Sequence, residues 1–141
     1  MARFVTHSPL ETEKLGERLA ACLSGVEVIA LFGGLGMGKT AFTRGLCRGL
    51  GIADGVSSPT FALVNEYRGS FNVYHFDVYR VNTWDDLYST GFFDYIGAGV
   101  LVIEWSENIE SALPDDAVRI RIKRGEGDDS RIFEIEGVES E

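Results

Sequence analysis

Residues 27–40 read Glu27-Val28-Ile29-Ala30-Leu31-Phe32-Gly33-Gly34-Leu35-Gly36-Met37-Gly38-Lys39-Thr40. The first six are an apolar run ended by glycine, the pattern of a strand buried on both faces. The last eight fit G-x-x-x-x-G-K-[ST], and helical spacing resumes from Lys39 to Leu50 until Gly51 closes it. Strand, glycine loop and helix in that order form a phosphate cradle. Glycines let backbone N–H groups close on phosphate oxygens without a Cβ in the way. The helix N-terminus adds unpaired donors and a positive dipole end. A chance match in a chain this long is about one in a hundred before that context is counted. Gly33, Gly34, Leu35, Gly36, Met37, Gly38, Lys39 and Thr40 are therefore the expected nucleotide-binding residues. Lys39 would reach the β- and γ-phosphates, and the Thr40 hydroxyl would ligate Mg²⁺.

Such a loop needs a carboxylate at the end of a neighbouring parallel strand. Glu104 ends Val100-Leu101-Val102-Ile103-Glu104, and an ionised Glu after four apolar residues needs a partner or a metal. Asp77 ends the aromatic run Phe71–Asp77. It would orient or deprotonate the attacking water or hold metal-bound water; pairing with Arg80 is the structural alternative. His75, among aromatics, reads as a packed, hydrogen-bonded residue rather than a base. Val56-Ser57-Ser58-Pro59-Thr60-Phe61 reads as a nucleotide-sensing switch in which Thr60 would contact Mg²⁺ or the γ-phosphate, or as a plain Ser-Pro turn.

The remaining pattern supplies the frame. Leu15, Leu19 and Leu23 recur every four residues over Leu10–Leu23, with Ser8 as cap and Pro9 in the first turn. Phe61–Tyr67 and Phe71–Asp77 flank Arg68-Gly69-Ser70 as a hairpin. Thr83 can cap a helix to Thr90, with Asp85 and Asp86 in its first turn. A short helical piece after Glu104 stops near Pro114. Val118–Lys123 and Arg131–Ile135 form a second hairpin, the first arm carrying Arg119, Arg121, Lys123 and Arg124. That basic arm reads as a solvated edge strand, or as a docking face for an acidic partner or phosphate. The expectation is an α/β three-layer sandwich of P-loop type, its mixed sheet built from parallel core strands and antiparallel hairpins.

At 141 residues the chain reads as a single domain, 1–141, with an acidic C-terminal hairpin or tail over 126–141. Thirteen Lys and Arg against 22 Asp and Glu give a net charge of −9. Residues 126–141 hold seven acids and one base, so −6 of that charge lies there. This argues against a broad electrostatic grip on nucleic acid. No apolar run reaches membrane length, and Met1–Pro9 lacks the apolar segment of a signal peptide, so the expected location is cytoplasmic with no membrane contact. Cys22 and Cys47 both read as buried, unpaired thiols in a reducing compartment.

With these segments placed, the chain resembles the bacterial TsaE (YjeE) family of small P-loop ATPases. The resemblance runs from about Leu15 to Pro114. It rests on Leu15-Gly16-Glu17-Arg18-Leu19-Ala20, the loop Gly33–Thr40, Ser58-Pro59-Thr60-Phe61, His75-Phe76-Asp77-Val78-Tyr79-Arg80 and Ile103-Glu104-Trp105 in that order. The chain departs from the family pattern at Gly34, where Asp is usual, and at Ala41, where a second Thr is usual. The resemblance implies phosphate binding by Leu35 to Thr40, Mg²⁺ service by Thr40 and Glu104, and hydrolytic and switch positions for Asp77 and Thr60. It also implies an adenine pocket near Ser8 and Pro9, closed by Arg131. It implies weak ATPase activity in support of TsaD and TsaB, which form threonylcarbamoyladenosine at A37 of tRNAs reading ANN codons. This chain would reset or regulate that complex, and tRNA contact would be indirect. The other readings are a non-hydrolysing ATP-dependent module and a small-molecule or nucleoside kinase. No Arg-rich lid insertion is present for the kinase, and no N-K-x-D segment for a GTPase.

Overall fold

A computed structural model describes residues 2–33, 38–52, 64–69, 71–78, 81 and 83–137. The strands are β1 (Ala2–Thr6), β2 (Val28–Phe32), β3 (Val64–Tyr67), β4 (Val73–Asp77), β5 (Val100–Glu104), β6 (Val118–Arg124) and β7 (Arg131–Glu136). The helices are α1 (Pro9–Ala20), α2 (Lys39–Gly49), α3 (Trp84–Ser89) and α4 (Phe92–Tyr95), with a 3-10 segment at Ser106–Ala112.

The strands form one seven-stranded sheet in the order β1-β7-β6-β2-β5-β4-β3. β6, β2, β5 and β4 run parallel, while β1, β7 and β3 add antiparallel edges. Alternate residues of β2 feed two cores. Ile29 and Leu31 meet Leu15 and Leu19 of α1 and Phe42 and Leu46 of α2. Val28, Ala30 and Phe32 meet Leu87 of α3, Phe92 of α4, and Ile109 and Leu113 beyond β5. Every residue of β2 and β5 is buried, which is why both read as unbroken apolar runs. The expected three-layer architecture is therefore the observed one.

The local signals hold as well. Ser8 Oγ accepts the Glu11 N–H at 3.1 Å, Glu11 reaches back to the His7 N–H at 2.9 Å, and Pro9 opens α1. Ser8→Ala is expected to cost about 1 kcal/mol, measured by urea denaturation. Gly51, at φ +86, ends α2: Ile52 N–H donates to Cys47 C=O at 2.9 Å and Gly51 N–H to Arg48 C=O at 3.1 Å. Thr83 caps α3 by accepting the Asp86 N–H.

Four expectations change. The first segment is a strand: β1 pairs with β7, Thr6 opposite Arg131. Its five residues carry too short a pattern to declare a partner so distant in sequence. α1 ends at Ala20, before Leu23. Cys22 is consequently exposed beyond the helix, whereas Cys47 is buried; both are free, and burial pushes the Cys47 thiol up to about 12. Finally, β6 is an interior strand between β2 and β7. Its basic face meets the acids of its own hairpin: Arg119 stands opposite Glu136 and Arg121 opposite Glu134, and Lys123 binds Glu134 at 2.9 Å. Over 131–136 the acidic C-terminal segment is thus a sheet strand that neutralises its neighbour. No helix among the described residues is long and apolar enough to cross a membrane.

Candidate functional site

β2 stops at Phe32, Gly33 turns at φ +150, and the chain enters α2 through Gly38 at φ +88. Only glycine holds such angles without strain. Gly38 has no side chain, so α2 opens without a side-chain cap. Gly34, Leu35, Gly36 and Met37 lie outside the described residues.

Lys39 is only 5% exposed. Its Nζ donates to Gly33 C=O at 2.9 Å and stands 4.3 Å over the Trp105 ring, a cation–π contact. Desolvation lowers the pKa of this amine, and the carboxylates of Glu104, Glu107 and Asp77 pull in the opposite direction. Three carboxylates therefore act through their charge on one buried cation. Thr40 follows it, partly buried in the first turn of α2.

Asp77 and Glu104 are register partners at the C-terminal ends of parallel β4 and β5, with β2 next in the sheet. Open α/β sheets bind ligands in that crevice. Glu104 is buried, and its Oε2 lies 2.5 Å from His75 Nε2. The partner that a buried Glu104 demands is thus His75, which is packed as expected and fully buried. Asp77 is half-buried. Tyr79 and Arg80 lie outside the described residues, as does 53–63 with Thr60 and the whole switch segment.

The turn after β5 supplies groups that the sequence reading did not assign. Trp105 has φ +63, the one non-glycine residue with positive φ among those described. A bulky side chain there costs of order 1–3 kcal/mol, and the return is an indole laid over Lys39. Glu107 Oε2 accepts the Gly33 N–H at 3.0 Å, and Asn108 Nδ2 donates to Val78 C=O at 2.9 Å. One turn thus touches the loop, its lysine and the segment leaving Asp77. The signal was the polar run Ser106-Glu107-Asn108 directly after a strand-end Glu.

Arg131 opens β7. Its Nη1 donates to Asp128 C=O at 2.8 Å and Ser130 C=O at 2.9 Å. A Cβ built on Gly38 would lie 3.9 Å from Arg131 Cγ and 3.8 Å from Thr12 Cγ2. Thr12 Oγ1 shares a buried hydrogen bond of 2.8 Å with Thr6 Oγ1. The β1–β7 ladder therefore brings Arg131 and the start of α1 to the loop exit; Ser8 and Pro9 follow Thr6 closely in the chain and begin that helix.

A family profile described as "Threonylcarbamoyl adenosine biosynthesis protein TsaE" matches residues 6–133. The chain belongs to the TsaE family. The resemblance read from SPTF, HFDxYR and IEW is borne out over nearly the full length. A Bacillus subtilis relative named tRNA threonylcarbamoyladenosine biosynthesis protein TsaE is 43% identical over 128 residues, covering 89% of this chain and 79% of its own. A Treponema pallidum protein of the same name is 39% identical over 122 residues, covering 86% and 90%. The crystal structure of Bacillus subtilis YdiB superposes with a TM-score of 0.74 at 37% identity, over 94% of this chain and 82% of that one. The family span contains the loop, both strand-end carboxylates, Trp105 and Arg131.

Proposed function

We propose that the chain binds ATP with Mg²⁺ and hydrolyses it slowly, in support of the TsaD–TsaB complex that forms threonylcarbamoyladenosine at A37 of tRNAs reading ANN codons. The observation that carries the reading is the buried Lys39 ammonium among Asp77, Glu104 and Glu107, beside an α2 N-terminus without a side-chain cap. Family membership supplies the pathway.

The donor set fits a nucleotide-borne metal. Among the described residues no three His, Cys, Asp or Glu gather to hold a metal. Mg²⁺ is commonly held by one or two protein oxygens plus substrate phosphates. Thr40 and Glu104 would be those protein ligands, and bound Mg²⁺ would neutralise phosphate charge. Lys39 and the α2 amides would bind the phosphates. Asp77 would orient the attacking water and accept its proton. Ser8, Pro9 and Arg131 would border the adenine, and Thr60 would report the γ-phosphate. Trp105 shields one side of the Lys39 amine from water, which strengthens its pull on phosphate.

The charge pattern supports a protein partner, with tRNA contacted only through it. Residues 81–118 hold eight acids and no base. In the same stretch Trp84 and Tyr88 are 51% and 63% exposed, Trp84 stacking on Phe93. A cytoplasmic location follows from the pathway.

Asp77→Ala is expected to bind ATP within about threefold of wild type and to lose turnover by 10²–10⁴-fold, roughly the worth of a positioned general base. Calorimetry and phosphate release decide it. Full turnover would return Asp77 to a structural role and favour the non-hydrolysing module. For the pathway, tRNA modification by TsaD–TsaB is followed with and without this chain. Stimulation confined to cycles after the first supports resetting; no effect over many turnovers refutes it.

A further inference from the structure

The imidazole of His75 is a buried polar group that the proposed chemistry leaves without a task. It is fully buried on β4, two residues before Asp77 and on the same face of the strand. Its Nε2 meets Glu104 Oε2 at 2.5 Å, while its Nδ1 has no hydrogen-bond partner among the described residues. The hydrogen-bond pattern assigns the tautomer. With the proton on Nε2, the ring donates to the carboxylate and buries a bare Nδ1 lone pair. The opposite tautomer would bury an orphaned N–H and set two acceptors against each other. Around the pair lie Val73, Val102 and the Tyr67 ring, whose centroid is 6.1 Å from that of His75. Packed on that side and acted on by the Lys39 charge on the other, a hydrogen-bonded carboxylate has few alternative positions.

We propose that His75 is a positioning residue for the nucleotide-borne metal. It pins Oε2 of Glu104 from behind, so the carboxylate presents its remaining oxygen to the crevice in one fixed orientation. It adds a second constraint through the chain, because β4 carries both His75 and Asp77 and the ladder pairs Asp77 with Glu104. One strand thus holds one carboxylate and orients the other. Outer partners of metal ligands typically account for 10–100-fold in metal affinity. The inference rests on the reading that Glu104 serves Mg²⁺.

The test compares two polar replacements that differ in reach. Gln places an N–H donor near the position of Nε2, whereas Asn stops short of Glu104. ATP affinity is measured by calorimetry with Mg²⁺ and with EDTA, and the ratio of the two reports the metal. His75→Asn is expected to lower that ratio about tenfold or more with the EDTA affinity unchanged, and His75→Gln to keep it near wild type. In a Glu104→Gln background, adding His75→Asn should change the ratio no further. Thermal melts of all variants confirm folding. Equal ratios for Asn and Gln, or an equal loss from His75→Asn with and without Glu104, overturn the proposal. If Glu104→Gln alone leaves the ratio at wild type, the assignment of Glu104 to the metal fails instead, and the two failures are distinguishable.

Discussion

Lys39→Ala is expected to weaken ATP binding more than a hundredfold, to below detection by calorimetry, while the fold persists. The loss follows from charge and burial together. Lys39 is a buried cation at the mouth of the loop, acted on by the carboxylates of Glu104, Glu107 and Asp77. Between opposite charges about 4 Å apart, an effective dielectric near 20 gives about 4 kcal/mol. Losing about 3 kcal/mol of that is a factor above one hundred. Stability should not fall in step, because desolvation already disfavours the charged amine and its removal relieves that cost. A pH series checks the same physics. Binding of phosphate favours the protonated amine, whose pKa in the free protein is lowered. ATP affinity should therefore decline as pH rises through that lowered value, earlier than for an ordinary lysine. Unchanged affinity of Lys39→Ala at neutral pH would sink the nucleotide-site assignment.

Gly45→Ala is expected to destabilise the protein by about 2 kcal/mol or more, the overpacking cost less the helix propensity gained. A Cβ there would lie 1.8 Å from the Glu13 carbonyl oxygen and 2.6 Å from Glu13 Cα, both main-chain atoms that cannot swing aside. Gly16 makes the reciprocal approach, its Cβ position 2.3 Å from the Phe42 carbonyl oxygen. α1 and α2 thus cross backbone to backbone, and any side chain at the crossing must push the helices apart. That would lift Leu15 and Leu19 off Phe42 and Leu46, which form one core cluster. Overpacking of this kind costs about 1–3 kcal/mol and occasionally more, against about 1 kcal/mol of helix propensity gained. Lys39 and Thr40 open the displaced helix, so ATP affinity should fall as well. Gly127→Ala is the control: its nearest atom is Ser130 Cβ at 3.9 Å and its φ is not positive, so a change within about 0.5 kcal/mol is expected. Urea denaturation of both variants decides the matter. A Gly45→Ala protein as stable as wild type would mean that the helices part without cost.

Much of this arrangement was legible in the residues. The apolar runs at Val28–Phe32 and Val100–Glu104 marked strands covered on both faces, and both are. The glycine segment, its lysine and the strand-end carboxylates stood out because they match residue types at a spacing that proposed phosphate binding would demand. Caps at Ser8, Thr83 and Gly51 were visible because each acts within five residues of itself.

What escaped the sequence is what depends on distant partners. β1 has meaning only against β7, whose first residue is 125 positions beyond Thr6. β6 looked like an edge because its basic face is polar, yet cross-strand acids satisfy that face and let the strand sit inside the sheet. Glycines 16 and 45 gave no hint that two helices touch through them.

The sequence by itself determined the buried strand β2, the helix that opens at Lys39 and the two carboxylates at strand ends, because these rest on local backbone geometry and side-chain chemistry. Only the tertiary structure decided that Glu104 is held by His75, that Trp105 turns back over Lys39, and that Arg131 reaches the loop exit. Each of those contacts joins residues separated by at least 29 positions. Only the stacking order of β1, β7, β2, β5 and β4 brings them within reach.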